Sequence, residues 1–280
     1  MTDERGDKKM ATTTSETRKM LVDYRKDGGV AILTLNDPPA NTYTHEMMRD
    51  LDDAIVKARF DAEVHVILIT GAGEKFFCAG ANINMLQTVD PYFKYFFCLH
   101  ANETLSRLEQ TPKLVIAAIN GHCVGGGLEI AMAADIRIAR RDAGKCGLPE
   151  VALGVLPGTG GTQRLTRLVG KAKAIELMVT GETFDFARGV ELGILTSVYD
   201  GDATQFMTKV MEYARQLCPP NKAAKAVGNI KRSVQSGAEV PFSEALAIER
   251  ELQQLLFQSE DAKEGLTAYV EKRKANFKAK

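Results

Sequence analysis

The sequence predicts an α/β fold that passes into a helical C-terminal region. Three observations carry that reading. Val64–Thr70, Leu114–Ile119 and Ile136–Ala139 are short, β-branched runs that are apolar on both faces, as buried parallel strands are. Helix-period stretches separate them, which is the alternation of an α/β architecture. Beyond residue 160 the chain reads as mostly helical, and its texture changes near 195–202. The expected organisation is a mobile polar tail over 1–18, an α/β core over 19–200 and a helical region over 201–280.

Taken in order, Leu21–Arg25 and Val30–Leu35 flank Asp27-Gly28-Gly29, a hairpin signal that Asn36-Asp37-Pro38-Pro39 closes. Thr44 is placed to cap a helix whose apolar face holds Met47, Leu51, Ile55 and Ala58. The three apolar strands follow, the first closed by Gly71 and the second by Asn120-Gly121. Helices are expected at about 161–179, 185–192, 203–217, 221–235, 242–258 and 260–275, punctuated by Pro219-Pro220 and Gly237. Tyr92-Phe93-Lys94-Tyr95-Phe96-Phe97 reads as helix core or a subunit contact in preference to pocket lining.

Composition removes several classes of function. The 280 residues carry 36 Lys and Arg against 36 Asp and Glu, so no overall field draws the chain to nucleic acid or an anionic membrane. No run of 18 apolar residues is present. The five cysteines are widely spaced without C-x-x-C, and the four histidines form no H-x-x-x-H, so neither a metal site nor a disulfide framework is expected. The polar N-terminal stretch has no signal-like apolar segment, its acidic residues argue against a transit peptide, and Lys278-Ala279-Lys280 is not a peroxisomal tripeptide. A reducing, cytoplasmic setting is the expectation.

Parallel strands gather the loops at their C-terminal ends on one edge, where ligands bind. Three segments should therefore meet: Gly71–Ala81, Asn120–Gly127 and the stretch ending in Gly147-Leu148-Pro149-Glu150. Gly125-Gly126-Gly127 opens an apolar helix, and bare N–H groups at a helix start suit a developing negative oxygen. A tight helix–strand contact explains the same glycines equally well. Glu129 is the only charge in Leu128–Ala134, and Glu150 is alone in an apolar stretch. Each is either an ordinary Glu, at a helix start or paired with an Arg, or half of a general acid–base pair. Nucleotide, serine-hydrolase and zinc-protease motifs are absent.

Together these segments resemble the enoyl-CoA hydratase/isomerase (crotonase) superfamily from about residue 20 to 280. The resemblance is carried by Phe77-Cys78-Ala79-Gly80-Ala81-Asn82-Ile83, by Ala118 to Glu129, by Gly147-Leu148-Pro149-Glu150, by Leu156 to Leu165 and by Glu271 to Phe277. It implies a spiral of ββα turns, a helical trimerisation region, a hexamer built as a dimer of trimers, and an acyl-CoA thioester as substrate with no further cofactor. Carried over by position, the backbone N–H groups of Ala81 and Gly126 hold the thioester oxygen. Glu129 activates water for attack at Cβ, and Glu150 protonates Cα. Ala40, Ala79, Asn82, Ile83, Leu148 and Lys272 fall where the family contacts CoA or the acyl group. Asn82 and Asn84 replace a usual Asp and Lys, and Leu148 replaces a frequent Gln. Lys272 is either a charge lent to a neighbouring subunit's CoA or a solvated helix-end Lys.

Having both glutamates favours a hydratase over an isomerase. A hydratase specialised for branched (methylglutaconyl-type) or cyclic dienoyl thioesters is the alternative, along with an isomerase. RNA binding ranks low, because the helix with Arg49, Lys57 and Arg59 also carries Glu46, Asp50, Asp52 and Asp53.

Overall fold

The computed structural model describes residues 18–280. The tail expected over 1–18 lies, apart from Arg18, outside the described residues. Strands β1 (Val22–Asp27) and β2 (Val30–Leu35) form the antiparallel hairpin, followed by α1 (His45–Phe60). Thr44 caps α1, its hydroxyl accepting from the Met47 N–H at 3.3 Å. Next come β3 (Val66–Gly71), β4 (Phe76–Cys78), α2 (Ile83–Thr88) and α3 (Pro91–Glu109). The following turns are β5 (Leu114–Ile119), β6 (His122–Val124) and α4 (Gly126–Met132), then β7 (Ile136–Arg140), β8 (Lys145–Gly147) and a single 3₁₀ turn at Glu150–Leu153. After α5 (Gly161–Val169), α6 (Lys171–Thr180), β9 (Thr183–Asp185), α7 (Phe186–Glu191) and β10 (Ser197–Tyr199), the rest is helical: α8 (Ala203–Gln216), α9 (Ala224–Gly237), α10 (Phe242–Phe257) and α11 (Glu260–Val270).

Two sheets result. The larger runs β1-β2-β3-β5-β7-β10 and is parallel except for the hairpin. The smaller runs β4-β6-β8-β9, with only β8 and β9 antiparallel. The three turns that begin at β3, β5 and β7 each give one strand to the large sheet, one short strand to the small sheet, and then a helical segment. Successive turns stack as a spiral.

The large sheet is apolar on both sides because it divides two cores. Ala31, Leu33 and Leu35 face the main core with α1 and α3, while Val30, Ile32, Val66, Leu68 and Ile116 face a second one. Helix α8 seals that second face with Phe206, Val210, Met211 and Ala214. The continuous apolar runs of the sequence follow directly from this two-sided burial.

Helix α11 ends at Val270, short of the expected 275, and β9 and β10 interrupt the stretch expected to be mostly helical; two further differences have a local cause. The segments read as loops after β3, β5 and β7 contain β4, β6 and β8. Strands of three residues are too short to display an alternation, so only pairing in the folded chain reveals them. The single helix expected over 161–179 is two helices, because Gly170 takes φ 79, ψ 160, a conformation that ends α5 and starts α6.

Helix α9 is fastened to the core by a buried ion pair. Lys231 Nζ lies 2.8 Å from Asp135, and Asp135 also accepts from the Val115 N–H and from Gln235. The outer faces of the C-terminal helices leave Ile230, Val234, Phe242, Leu255 and Phe257 exposed.

Candidate active site

The loop between β3 and β4 is held by amide side chains. Asn120 accepts from the Gly71 N–H at 3.0 Å and donates to Gly71 and Gly73 carbonyls at 3.0 and 2.8 Å. Asn41, in the left-handed region at φ 50, donates to the carbonyls of Ala72 and Phe76 at 2.9 and 3.0 Å. These bonds fix the chain that leads into Ala79-Gly80-Ala81. A one-residue parallel bridge between Tyr43 and Ala81 completes the fixation: the Tyr43 N–H donates to Gly80 O, and the Asn82 N–H donates to Tyr43 O. Both bonds use the flanking residues, so the bridge leaves the Ala81 N–H free.

On the far side, Gly126 is the first residue of α4, where helix geometry leaves its N–H without an intrahelical acceptor. Among the described residues neither the Ala81 N–H nor the Gly126 N–H donates to a carbonyl or side chain. Both residues open on a cavity of about 570 Å³, as do Glu129 and Glu150. Ile83, Leu86, Val155 and Leu156 supply apolar wall. The three segments that follow β3, β5 and β7 therefore meet at one place.

The two carboxylates live in different surroundings. Glu129 is 1% exposed on a wholly buried helix. Its Oε1 accepts from the Thr159 and Gly161 N–H groups, both at 2.7 Å. Gly161 begins α5, so the positive end of that helix faces the carboxylate. Burial pushes the Glu129 carboxyl above the ordinary range, while the two amides and the Thr159 hydroxyl oppose that rise. Glu150 begins the 3₁₀ turn, against the start of α4: a Cβ on Gly125 would lie 3.0 Å from Glu150 Oε1. Its Oε2 is buried and has no hydrogen-bond partner. Burial, reinforced by the charge of Glu129, pushes Glu150 up to about 7.

Of the other expected contact residues, Ala79 and Ile83 line the cavity. Ala40 lies one layer back, its carbonyl accepting from the Ala79 N–H at 3.0 Å. Asn82 caps α2, accepting from the Met85 N–H at 3.1 Å and donating to Thr42 at 3.4 Å. Leu148 is 2% exposed and packs in the main core rather than on the cavity. Lys272 stands exposed at φ 54 in the turn after α11. Within the aromatic run of α3, Lys94 lines the cavity; Phe97 is buried, and Tyr92, Tyr95 and Phe96 are exposed. On α1, Lys57 lies over the Tyr24 ring and Arg59 turns inward to Thr111 and the Arg107 carbonyl.

Residue-by-residue reading passed over Tyr43, Thr159 and Gly161. The signal for the last two was the glycine-rich stretch before an amphipathic helix, Pro157 to Gly161, which marks a second helix N-terminus. Tyr43 carried no signal of its own.

A spiral of strand–strand–helix turns with two glutamates and two free amides around one largely apolar cavity is equipped for acid–base chemistry on a polarised carbonyl. The chain belongs to the enoyl-CoA hydratase/isomerase family, whose sequence profile matches residues 25–280. It is 38% identical over 250 residues to the short-chain-enoyl-CoA hydratase of Clostridium acetobutylicum, covering 89% of this chain and 94% of that one. It is 36% identical over 256 residues to the crotonyl-CoA hydratase of Syntrophomonas wolfei, covering 91% and 96%. Its fold matches the crystal structure of a Geobacillus kaustophilus enoyl-CoA hydratase with a TM-score of 0.90 and 44% identity, covering 94% of this chain and 98% of that one. Among the described residues no helix is long and apolar enough to cross a membrane.

Proposed function

We propose that this protein adds water across the double bond of a 2-enoyl-CoA thioester to give a 3-hydroxyacyl-CoA. One observation carries the reading: two glutamates of opposite character, one anchored by amides and one left unpartnered, share a cavity with two free N–H donors. The thioester carbonyl draws electron density from the conjugated C=C, so Cβ is electrophilic. Both backbone bonds to Glu129 go to Oε1, which leaves Oε2 without a backbone donor and available to take a proton from water. As the hydroxyl forms its bond to Cβ, charge collects on the thioester oxygen. The Ala81 and Gly126 N–H groups bind that enolate more strongly than the neutral carbonyl, which lowers the barrier. Glu150, protonated near neutral pH, delivers its proton to Cα. Return of the water-derived proton from Glu129 to Glu150 resets the pair.

The CoA portion arrives with the substrate, and the reading calls for no other cofactor. Exposed apolar residues on α9 and α10 support assembly with further copies of the chain, for which a hexamer of two trimers is the proposal, Lys272 serving there either the CoA of a neighbour or only solvent. The even charge balance and internally engaged Arg59 support an enzyme that binds neither nucleic acid nor membrane, and a cytoplasmic setting is part of the proposal. Loss of the enoyl absorbance of crotonyl-CoA tests the reaction. Glu129→Gln should lower turnover by about 10²–10⁴-fold with the oligomer intact. Wild-type turnover in that variant would remove Glu129 from its role. A panel of linear, branched and cyclic enoyl thioesters then ranks the acyl groups.

A further inference from the structure

Tyr43 sits where the amide cradle and the base meet, and neither role uses it directly. Its backbone clamps the Gly80-Ala81-Asn82 segment through the bridge described above. Its ring lies on Gly126 so closely that a Cβ there would fall 2.1 Å from Tyr43 Cε1. Only glycine fits beneath it. Its hydroxyl is 2.8 Å from Thr159 Oγ1, and the Thr159 N–H in turn holds Glu129 Oε1. The side chain is 3% exposed, wedged beside Phe97 with ring centroids 5.6 Å apart. One residue thus touches Ala81 by its main chain, Gly126 by its ring and Glu129 through Thr159, whose hydroxyl it meets and whose N–H holds the carboxylate.

Resting on the hydratase reading above, we propose that Tyr43 is a positioning residue for hydration, which locks the two enolate-binding amides and the Glu129 carboxylate into one register. The direction of its hydrogen bond follows from the acceptor at the end of the chain. A carboxylate only accepts, and the Thr159 hydroxyl helps to stabilise the charged form of Glu129. Thr159 therefore donates toward Glu129, and its oxygen accepts the Tyr43 proton. Burial and the nearby Glu129 charge push the Tyr43 phenol well up, so it stays a donor throughout the working range. Deleting the phenol oxygen frees the Thr159 hydroxyl to rotate, which weakens its hold on ionised Glu129 and makes that carboxyl easier to protonate.

The test uses the full-length protein and crotonyl-CoA. Tyr43→Phe removes only the hydroxyl and keeps the ring on Gly126. It should lower kcat about tenfold with KM within about twofold. The acid limb of kcat/KM should also move up by about half a pH unit. Thr159→Val should produce the same displacement, with no further displacement in the double variant, whereas Thr159→Ser should restore the wild-type limb. An unchanged kcat and acid limb in Tyr43→Phe overturns the proposal. So does a loss of activity that leaves the limb in place, because that is the signature of general loosening. Should Tyr43→Phe fail to fold, Thr159→Val and Thr159→Ser decide by the same limb. If the wild-type protein does not hydrate crotonyl-CoA, the hydratase reading fails instead, and that outcome is visible before any variant is made.

Discussion

Glu150 should weaken the fold at the pH where the proposed reaction uses it as an acid. Its ordinary carboxyl value is 4.5, and the folded protein raises it to about 7. Between those values the unfolded chain has released the proton while the folded chain still holds it. Stability therefore falls as pH rises through this window, is whole below about 4.5 and is fully lost above about 7. The gap corresponds to about 3 kcal/mol at roughly 1.4 kcal/mol per tenfold change, and partial solvent screening of this half-buried group reduces that to about 2. Glu150→Gln keeps the shape and removes the ionisation. The variant should melt close to wild type at pH 5 and about 5 °C higher at pH 8, using about 2–4 °C per kcal/mol for a chain of this size. Its hydration activity should meanwhile fall by about 10²–10⁴-fold. Calorimetric scans at the two pH values, with crotonyl-CoA turnover alongside, supply both readings. An equal offset in melting temperature at pH 5 and pH 8 would refute the reasoning, because it would mean that Glu150 does not carry its proton to near neutrality in the folded state.

Two further perturbations test other parts of the structure. Gly126→Ala should cost about 10²–10³-fold in turnover, since the new methyl meets the buried Tyr43 ring and displaces the amide proposed to bind the enolate; a substrate-saturated rate measurement checks it. Lys231→Met strands Asp135, which is only 11% exposed, without its cation and should destabilise by about 3–5 kcal/mol in urea, with much of the loss recovered on adding Asp135→Asn.

What the sequence displayed depended on how far each feature exceeded its background. Glu129 and Glu150 stand out because a lone carboxylate in an apolar run has few structural excuses. The parallel strands stand out because burial on both faces removes every polar residue from them. The short strands β4, β6 and β8 do not, because three residues hold no period. The break at Gly170 is hidden inside apolar spacing that continues across it. Leu148 belongs to the same local motif as Glu150, yet it packs into the core while Glu150 reaches the cavity. That division is set by the direction of one strand end, which residue types do not encode. Tyr43 was invisible for a related reason. Its neighbours in the chain, Thr42 and Thr44, say nothing of Gly126 or Thr159, which reach it only after three turns of the spiral have stacked.

The spiral also explains how one residue type can be set to two opposed tendencies in one cavity. Two like charges in one apolar cavity do not ionise together cheaply, so the site must decide which carboxyl gives up its proton first. The fold makes that decision chiefly with backbone, to which the Thr159 hydroxyl adds. The start of α5 directs two N–H groups at Glu129, whereas the 3₁₀ turn that carries Glu150 directs none at its buried Oε2. Once Glu129 is ionised, its charge further favours the protonated form of Glu150. The ordering leaves Glu129 the better base and Glu150 the better acid of the pair, the combination that the proposed hydration calls for. Because the asymmetry originates in helix termini, a substitution that merely exchanges side chains around Glu150 should leave the order of ionisation intact. One that shifts the start of α5, such as Gly161→Ala, whose Cβ would fall 2.8 Å from Glu129 Oε1, should disturb it.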